Sequence, residues 1–308
     1  MSERPAVLIM QRHLGPLTVF LEGAYDVYRF WEGPPATTTA LIWSRASAGE
    51  FELDKGLIEA LPNLSLIACF TSGYDGIDLA WCRARGMPVT HAPGVNHEDV
   101  ADHALGLILS ARKEIVSGDR ALRTGGWTAD TKTITGSLKG RKLGIVGLGL
   151  IGEAIARRAE AFGMIPAWWG PREKDAAWPR ADSLLDLARA SDMLVVACRA
   201  DETNRGLISR EVIEALGPTG LLVNVARGQL VDEDALIDAL RSGRLGQAAL
   251  DVFETEPTDP GRWAEVPNTV LTPHTGGATT EAVQGMLLLL LSNLAAHFAG
   301  EPLKTPVH

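Results

Sequence analysis

Short apolar runs alternate with longer helical patterns along almost the whole chain. Parallel strands must be joined by long crossovers, usually helices, so this alternation predicts parallel sheets covered by helices. In the first third, the predicted strands and helices are Ala6–Met10, Ala40–Trp43, Leu53–Leu61 (helix), Leu66–Phe70, Ile77–Arg85 (helix) and Val89–His91.

A second alternation starts at Lys142 and predicts a second sheet of the same kind. A long helix is expected to begin near His97, where acidic residues suit the positive end of the helix dipole. The last helix is predicted over about Thr279–Phe298, so a self-contained doubly wound unit is expected from about His97 to about Gly277. Its strands are predicted at Leu143–Val146, Ile165–Trp169, Met193–Ala197, Leu221–Val225, Ala248–Val252 and Val270–Thr272, with helices such as Ile151–Phe162, Leu184–Arg189 and Glu233–Ser242 between them.

Composition and charge exclude several classes of function. The chain has 308 residues, enough for two domains, and 29 basic against 38 acidic residues give a net charge of -9. A negative protein is not expected to bind nucleic acid non-specifically. The three cysteines form no CxxC pair and no zinc pattern with histidine, so a reducing compartment and no metal site are expected.

No targeting or membrane segment is evident, and we expect a soluble, cytoplasmic protein. The N-terminus lacks the basic head and long apolar run of a signal peptide. The apolar run Met286–Leu291 is too short to span a bilayer and is flanked by polar residues, which favours a buried core helix.

Three glycines, Gly147, Gly149 and Gly152, follow the predicted strand Leu143–Val146 and open the predicted helix Ile151–Phe162. A dinucleotide-binding loop requires this context. The first glycine permits the tight turn, the second lets the backbone approach a pyrophosphate, and the third lets the helix pack close to the strand. The helix N-terminus then offers free N–H groups to the phosphates. The alternative is an ordinary glycine-rich turn.

The next strand lacks the acidic residue with which NAD-specific sites usually bind the adenosine ribose. Gly170 stands at that position, and Arg172 lies two residues further on. No carboxylate is therefore available to repel a 2′-phosphate, and Arg172 can pair with that phosphate. This pattern predicts NADP(H) as the preferred cofactor, with NAD(H) possible. The alternative for Arg172 is a solvated surface arginine.

Three polar residues, Arg227, Glu256 and His274, each follow one of the last three predicted strands of the second unit. In open α/β sheets, ligands bind beyond the carboxyl ends of the strands. Arginine binds a carboxylate with two hydrogen bonds, and histidine donates a proton to a carbonyl oxygen as hydride reaches the carbon. A carboxylate beside histidine favours the imidazolium. Together they predict reduction of a small 2-keto acid, or the reverse reaction, although each alone is more often structural.

Several motifs, in order along almost the whole chain, resemble the D-isomer-specific 2-hydroxyacid dehydrogenase family. The chain is most similar to the glyoxylate/hydroxypyruvate and hydroxyphenylpyruvate reductase branch, notably in Arg157–Phe162 and Gly246–Asp251. The resemblance implies an α/β fold of two doubly wound parallel-sheet domains. A Rossmann-type dinucleotide-binding domain (97–277) would be inserted in a flavodoxin-like substrate domain (1–96 and 278–308), and the protein would be a homodimer. The matching motifs are Thr71–Asp78, Val100–Ala104, Gly140–Gly149, Val225–Gly228, Val231–Glu233, Leu250–Pro257 and Thr272–His274.

The resemblance also implies roles for single residues. Arg227 would bind the substrate carboxylate and carbonyl, and His274 would be the acid/base with Glu256 behind it. Backbone N–H groups at Ser72 and Gly73 would grip the substrate carboxylate. The expected cofactor contacts are Gly147, Gly149, Leu150, Ile151, Gly152, Gly170, Arg172, Cys198, Arg199, Val225, Ala226, Arg227, Asp251 (to the nicotinamide amide), His274, Gly276 and Gly277.

Two other functions remain open at this point. One is a non-enzymatic NAD(P)-sensing protein of the corepressor type on the same fold, against which an intact Arg227, Glu256 and His274 count. The other is an NAD-dependent enzyme that oxidises a 2-hydroxy acid, such as a phosphoglycerate dehydrogenase. In relatives that use NADP, the arginine commonly stands about one position before Arg172.

Overall fold

The computed structural model describes residues 4–44, 53, 55–131, 133–201 and 203–307. The chain divides into two compact units. The first unit comprises Met1–Asn96 together with Thr279–His308, and the second unit comprises His97–Ala278.

The first unit is built on a parallel sheet with the strand order β2-β1-β3-β4-β5, which is the doubly wound order of flavodoxin-like folds. Strands β1, β3 and β4 are buried on both faces, as the apolar runs predict. The strands are β1 (Ala6–Ile9), β2 (Asp26–Arg29), β3 (Ala40–Trp43), β4 (Leu66–Cys69) and β5 (Val89–Thr90), and the helices are α1 (Thr18–Leu21), α2 (Lys55–Glu59) and α3 (Leu79–Ala84), with 3-10 turns at Arg12–Leu17 and Phe30–Glu32.

The second unit has a parallel sheet in the order β11-β10-β9-β8-β6-β7, so the winding direction reverses between β6 and β8. In such sheets a ligand crevice forms at this switch point, beyond the carboxyl ends of the strands. The strands are β6 (Lys142–Val146), β7 (Ile165–Trp169), β8 (Met193–Val196), β9 (Leu221–Asn224), β10 (Gln247–Leu250) and β11 (Thr269–Leu271), and the helices are α4 (His97–Arg112), α5 (Ile115–Arg123), α6 (Leu150–Ala161), α7 (Leu184–Ala190), α8 (Arg210–Ala215), α9 (Glu233–Arg241) and α10 (Pro260–Trp263), with a 3-10 turn at Gly228–Leu230.

The predicted fold class, α/β with two doubly wound parallel sheets, is confirmed. Strand β2 was not predicted from the sequence, because this edge strand is only partly buried and forms no apolar run. Helix α5 was not predicted either. Glu114 adopts a left-handed conformation (φ 51°) between α4 and α5, so the chain turns there before the second helix begins.

The last helix, α11 (Thr280–Ala299), is long and apolar enough to cross a membrane by length and composition alone. The run Met286–Leu291, which by itself is too short to span a bilayer, is thus part of a 20-residue helix. Of its most apolar 18-residue window, 33% is buried. Met286, Leu290 and Leu294 pack into the core beneath the first sheet with residues of β1, β3 and β4. The buried Asn293 bonds to backbone and side chain of Thr305, which ties the C-terminal tail to this helix.

Candidate active site

The glycine loop joins β6 to α6 at the switch point of the second sheet. Gly147 has a left-handed φ of 94°, and a Cβ there would overlap Cys198 at the end of β8. A Cβ on Gly152 would overlap the backbone oxygen of Gly147. These two glycines are therefore required by the chain's own packing, which brings α6 close against the end of β6.

Gly149 is different, because a Cβ there would meet nothing within 4 Å. It is the N-cap of α6, and no side chain caps the helix. The first N–H groups of a helix have no partner within the helix, so those at Leu150, Ile151 and Gly152 can bind an anion. A glycine that the protein's packing does not need, beside an uncapped helix end, fits the pyrophosphate of a dinucleotide.

The turn after β7 lies beside this loop, because the N–H of Gly147 donates to the backbone oxygen of Trp169 at 2.8 Å. Gly170 is buried, and its backbone oxygen accepts from Nη2 of Arg180 at 2.8 Å. The guanidinium of Arg180 also lies over the ring of Trp168, at 5.7 Å from its centroid. The position where NAD-specific sites place a carboxylate is thus occupied by backbone that an arginine holds in place.

Two cations extend from this turn, and they differ in their surroundings. Arg172 is exposed and makes no hydrogen bond or ion pair with the described part of the chain. Lys174, which the sequence analysis did not single out, donates from Nζ to the backbone oxygen of Leu148 at 3.0 Å and pairs with Glu153. Lys174 therefore anchors this turn to the glycine loop, while Arg172 is available for a ligand.

Arg227 follows β9, and Asn224 at the end of that strand holds its backbone. The side chain of Asn224, which is buried, accepts from the N–H of Ala226 at 3.0 Å and donates to the backbone oxygen of Arg227 at 2.9 Å. A Cβ on Gly228 would overlap the backbone of Phe253, so this turn packs directly on the segment that leads to Glu256. The half-buried guanidinium thus stands on a rigid turn.

His274 and Glu256 form a hydrogen-bonded pair. Nδ1 of His274 lies 2.7 Å from Oε2 of Glu256, and the other carboxylate oxygen accepts from the N–H of Phe253 at 3.0 Å. Nδ1 therefore carries a proton. Nε2 has no hydrogen-bond partner in the described ranges, and the side chain of His274 is 36% exposed. This arrangement leaves Nε2 as the atom that can exchange a proton with a ligand.

Charges around Glu256 keep it ionised. Burial alone would raise the pKa of its carboxyl group, but the hydrogen bonds from His274 and Phe253 and the positive charges of His274 and Arg227 outweigh burial and lower that pKa. An ionised carboxylate at Nδ1 stabilises an imidazolium and sets the ring orientation. A proton donor, its counter-charge and an arginine are thus brought together at one end of the sheet.

Asp251, directly after β10, is 2% exposed, and its carboxylate accepts hydrogen bonds from the chain on every side of His274. Its partners are the hydroxyl of Thr272 at 2.6 Å and the N–H groups of Thr275 at 2.9 Å and Gly276 at 2.8 Å. The backbone oxygen of Asp251 accepts from the N–H of His274 at 2.8 Å. His274 itself is held with a left-handed φ of 53°. Gly276 is needed here, because a Cβ would lie 2.9 Å from Oδ2 of Asp251.

The other residues expected to line the cofactor lie at the same strand ends. Cys198 and Arg199 follow β8, and the first is half-buried while the second is exposed. Burial raises the pKa of the Cys198 thiol to about 11, so it is a neutral lining group. Val225 and Ala226 follow β9 and are buried, and Gly277 follows the His274 turn.

Ser72 and Gly73 lie in the first unit, just after β4. The hydroxyl of Ser72 donates to the backbone oxygen of Ala92 at 2.6 Å, and its own backbone oxygen lies 2.9 Å from Nδ1 of His91. The N–H groups of Ser72 and Gly73 donate to no acceptor within the residues described. This loop is held in place by hydrogen bonds and presents two neighbouring N–H groups that could donate to an anion.

Comparisons with known proteins support these observations. The model of the family "D-isomer specific 2-hydroxyacid dehydrogenase, NAD binding domain" matches residues 105–276. The chain is 43% identical over 296 residues to a glyoxylate/hydroxypyruvate reductase A of Arabidopsis thaliana, covering 93% of this chain and 94% of the relative. It is 40% identical over 305 residues to the hydroxyphenylpyruvate reductase of Plectranthus scutellarioides, covering 95% and 96%.

A solved structure resembles the chain over nearly its full length. It is the NADPH-dependent glyoxylate/hydroxypyruvate reductase of Sinorhizobium meliloti in complex with NADP and malonate, with a TM-score of 0.91 and 34% identity. The alignment covers 99% of this chain and 97% of that structure.

Substitutions at two glycines of the loop, Gly149 and Gly152, are expected to separate an effect on dinucleotide binding from an effect on stability. Gly149→Ala should unfold at nearly the wild-type midpoint, since its Cβ enters open space, but should bind NADPH more weakly because that space is where the ligand would lie. Gly152→Ala should lower the stability by about 1–3 kcal/mol, the usual cost of overpacking. Urea unfolding and titration of NADPH fluorescence measure both effects. Wild-type NADPH affinity in Gly149→Ala would show that the loop holds no pyrophosphate.

Proposed function

Because the chain belongs to the D-isomer-specific 2-hydroxyacid dehydrogenase family, we propose that it reduces a small 2-keto acid to the D-2-hydroxy acid, with a nicotinamide cofactor as hydride donor. Glyoxylate and hydroxypyruvate are the substrates to which the names of its relatives point. The observation that carries the proposal is the pair formed by His274 and Glu256, with Arg227 close enough to act on the charge of Glu256.

His274 would supply the proton. Glu256 occupies Nδ1, so the proton that leaves must come from Nε2, which faces no protein acceptor among the described residues. A nicotinamide cofactor held at the glycine loop, Gly147 to Gly152, would supply hydride for the carbonyl carbon. As negative charge develops on the carbonyl oxygen, Nε2–H donates its proton there, and the ring becomes neutral. The anion of Glu256 stabilises the imidazolium beforehand and is available to do so again when solvent returns the proton.

Arg227 would bind and orient the substrate. One nitrogen of its guanidinium, Nη1, donates to the backbone oxygen of Ala226 at 2.7 Å and so helps to fix the side chain. The planar guanidinium matches the geometry of a 2-keto carboxylate, and its positive charge would favour the developing oxyanion. The free N–H groups of Ser72 and Gly73 are proposed as further donors to the substrate carboxylate.

The alternative functions are less favoured by the same observations. A sensor without activity would need no aligned proton donor, whereas His274 is held by Glu256 on one side and by the backbone of Asp251 on the other. An oxidising enzyme would use the same residues in reverse, but the relatives are named as reductases.

We further propose that NADPH is preferred over NADH. Gly170 removes the carboxylate that would repel a 2′-phosphate, and Arg180 holds the backbone of this turn. Arg172 is exposed and has no ion pair with the described residues, so its charge is available. Lys174 is already paired with Glu153 and contributes less.

A homodimer is proposed on the basis of an apolar surface in the second unit. Exposed apolar side chains of this size, concentrated in one segment, usually mark an interaction site. Helix α5 and the segment after it carry Ile115 (54% exposed), Val116 (45%), Leu122 (62%), Trp127 (70%) and Ile134 (85%).

The proton donor can be tested with hydroxypyruvate and NADPH, by following loss of the reduced cofactor's absorbance. General acid catalysis contributes about 10²–10⁴-fold, so His274→Ala should lose that much in kcat while its affinity for NADPH stays close to wild type. Glu256→Gln should move the alkaline limb of the pH–rate profile to lower pH, because the imidazolium loses its counter-charge. An unchanged kcat in His274→Ala would remove this residue from the mechanism, and inactivity of wild type on 2-keto acids would refute the proposed function.

The cofactor preference is expected to depend on Arg172. A charge-assisted hydrogen bond contributes roughly 1.5–3 kcal/mol, so NADPH should be preferred by at least about tenfold in kcat/KM. Arg172→Ala should lose most of that preference and keep its NADH activity. Arg189→Ala, which removes a 60% exposed arginine near the end of α7, is the matched control and should change the preference little. Equal use of both cofactors by wild type would overturn the proposal.

Oligomeric state can be tested by light scattering coupled to size-exclusion chromatography. Wild type should have the mass of a dimer, and Leu122→Glu should shift it toward monomer because a charge would be buried without a partner. Leu288→Glu is the matched control, since Leu288 is 66% exposed on α11 and should tolerate the charge. A monomeric wild type at micromolar concentration would contradict the proposal.

A further inference from the structure

His103 belongs to the motif Val100–Ala104, to which the function proposed above assigns no role. It lies on α4, which packs against α6 and the strands β9 to β11. Its side chain is 23% exposed. Nε2 of His103 lies 2.9 Å from the hydroxyl oxygen of Thr272 and 3.2 Å from Oδ1 of Asp251.

The direction of these hydrogen bonds follows from the acceptors. Thr272 donates its hydroxyl hydrogen to Oδ1 of Asp251 at 2.6 Å, so its oxygen is left as an acceptor toward His103. Burial would raise the pKa of the Asp251 carboxyl group, but the hydrogen bonds from His103, Thr272, Thr275 and Gly276 outweigh burial and lower that pKa. Asp251 is therefore an anion with acceptors only, and Nε2 of His103 must carry the hydrogen.

The same carboxylate determines the path of the chain around His274. It holds the N–H groups of Thr275 and Gly276, and the backbone of Asp251 holds the N–H of His274. His274 has a left-handed φ of 53°, a conformation that is uncommon outside glycine and persists only when the surroundings impose it. A rotation of the Asp251 side chain would release this turn.

We propose that His103 is a positioning residue for the reaction: its Nε2–H, shared between Thr272 and Asp251, locks the Asp251 carboxylate and thereby the turn that presents His274. The other residues bonded to the Asp251 carboxylate, Thr272, Thr275 and Gly276, follow β11, whereas His103 lies on α4. It touches neither substrate nor cofactor in this scheme and acts through Thr272 and Asp251. The expected effect of His103 on kcat rests on the proposed function. Its expected effect on the backbone around His274 does not.

Three variants separate hydrogen bonding from packing. His103→Phe keeps a ring but removes the donor. His103→Gln restores an N–H close to the position of Nε2. Asp102→Asn is the matched control, because Asp102 is the neighbouring residue on α4, 70% exposed, and pairs with Arg158 on α6 instead of the His274 turn.

Hydrogen exchange of the segment 270–278, followed by mass spectrometry, reports on the turn without any substrate. His103→Phe should exchange this segment about three- to tenfold faster, the size of one net hydrogen bond, while His103→Gln and Asp102→Asn stay near wild type. Wild-type exchange in His103→Phe, or equally fast exchange in His103→Gln, would overturn the inference. If wild type reduces no 2-keto acid, the proposed function fails while this result still stands.

The link to turnover is tested by a double-mutant cycle. His103→Phe should lower kcat by about three- to tenfold, with the KM for hydroxypyruvate changed less, because His274 loses its alignment more than the substrate loses its binding groups. In a Thr272→Val background the same substitution should have a smaller effect than in wild type, because both residues hold the Asp251 carboxylate and only the 3.2 Å contact of His103 with Oδ1 is left to lose. Thr272→Ser keeps the hydroxyl and should resemble wild type. Additive losses in the double variant would assign His103 an independent packing role and overturn the proposal.

Discussion

The parallel pairing of β6, β8, β9, β10 and β11 is the constraint on which the chemistry of the second unit depends. Strands β6, β8, β9 and β10 are largely buried, so their backbone groups must be paired, and β11 pairs with β10 at the edge of the sheet. Parallel pairing brings every carboxyl end to the same side of the sheet. The register places Val146 beside Val196, Val196 beside Asn224, Asn224 beside Leu250, and Leu250 beside Leu271. The residues that follow these positions are the glycine loop, Arg227, Asp251 and the turn that carries His274. Residues distant in the chain thus meet because the strands before them share one register.

Two buried polar side chains at this edge convert the register into defined turns. A buried polar group destabilises the fold unless it is hydrogen-bonded. The buried side chains of Asn224 and Asp251 therefore require the backbone N–H and C=O groups around them to stay in bonding positions. Asn224 holds the backbone on either side of Arg227, and Asp251 holds the backbone on either side of His274. Glycines at 228 and 276 let these turns come close to their neighbours, where a Cβ would overlap.

Charge is distributed between the two ends of the proposed ligand in a way that suits a dinucleotide and an acid. Near the glycine loop the helix end is uncapped, Glu153 is paired with Lys174, and Arg172 is exposed. At the opposite strands Glu256 is paired with Nδ1 of His274, so Nε2 of His274 remains available. Glu153 and Glu256 therefore each have a partner, and the positive charge of Arg172 remains available for an anionic ligand.

The amino-acid sequence by itself determined the fold class, most of the strands and helices in their order, the glycine loop and the family. These features depend on local signals: apolar runs mark buried strands, and glycine marks turns that no other residue can make. Strand β2 carried no such signal, because an edge strand needs no apolar run. Only the tertiary structure decided which atoms meet: that Glu256 lies at Nδ1 of His274 and leaves Nε2 available, that Lys174 anchors the turn after β7 to Leu148, and that His103 reaches Asp251 from α4. The physical reason is that hydrogen bonds depend on distances of tenths of an ångström between residues far apart in the chain. Those distances are set by how helices and strands pack on one another, which no local pattern encodes.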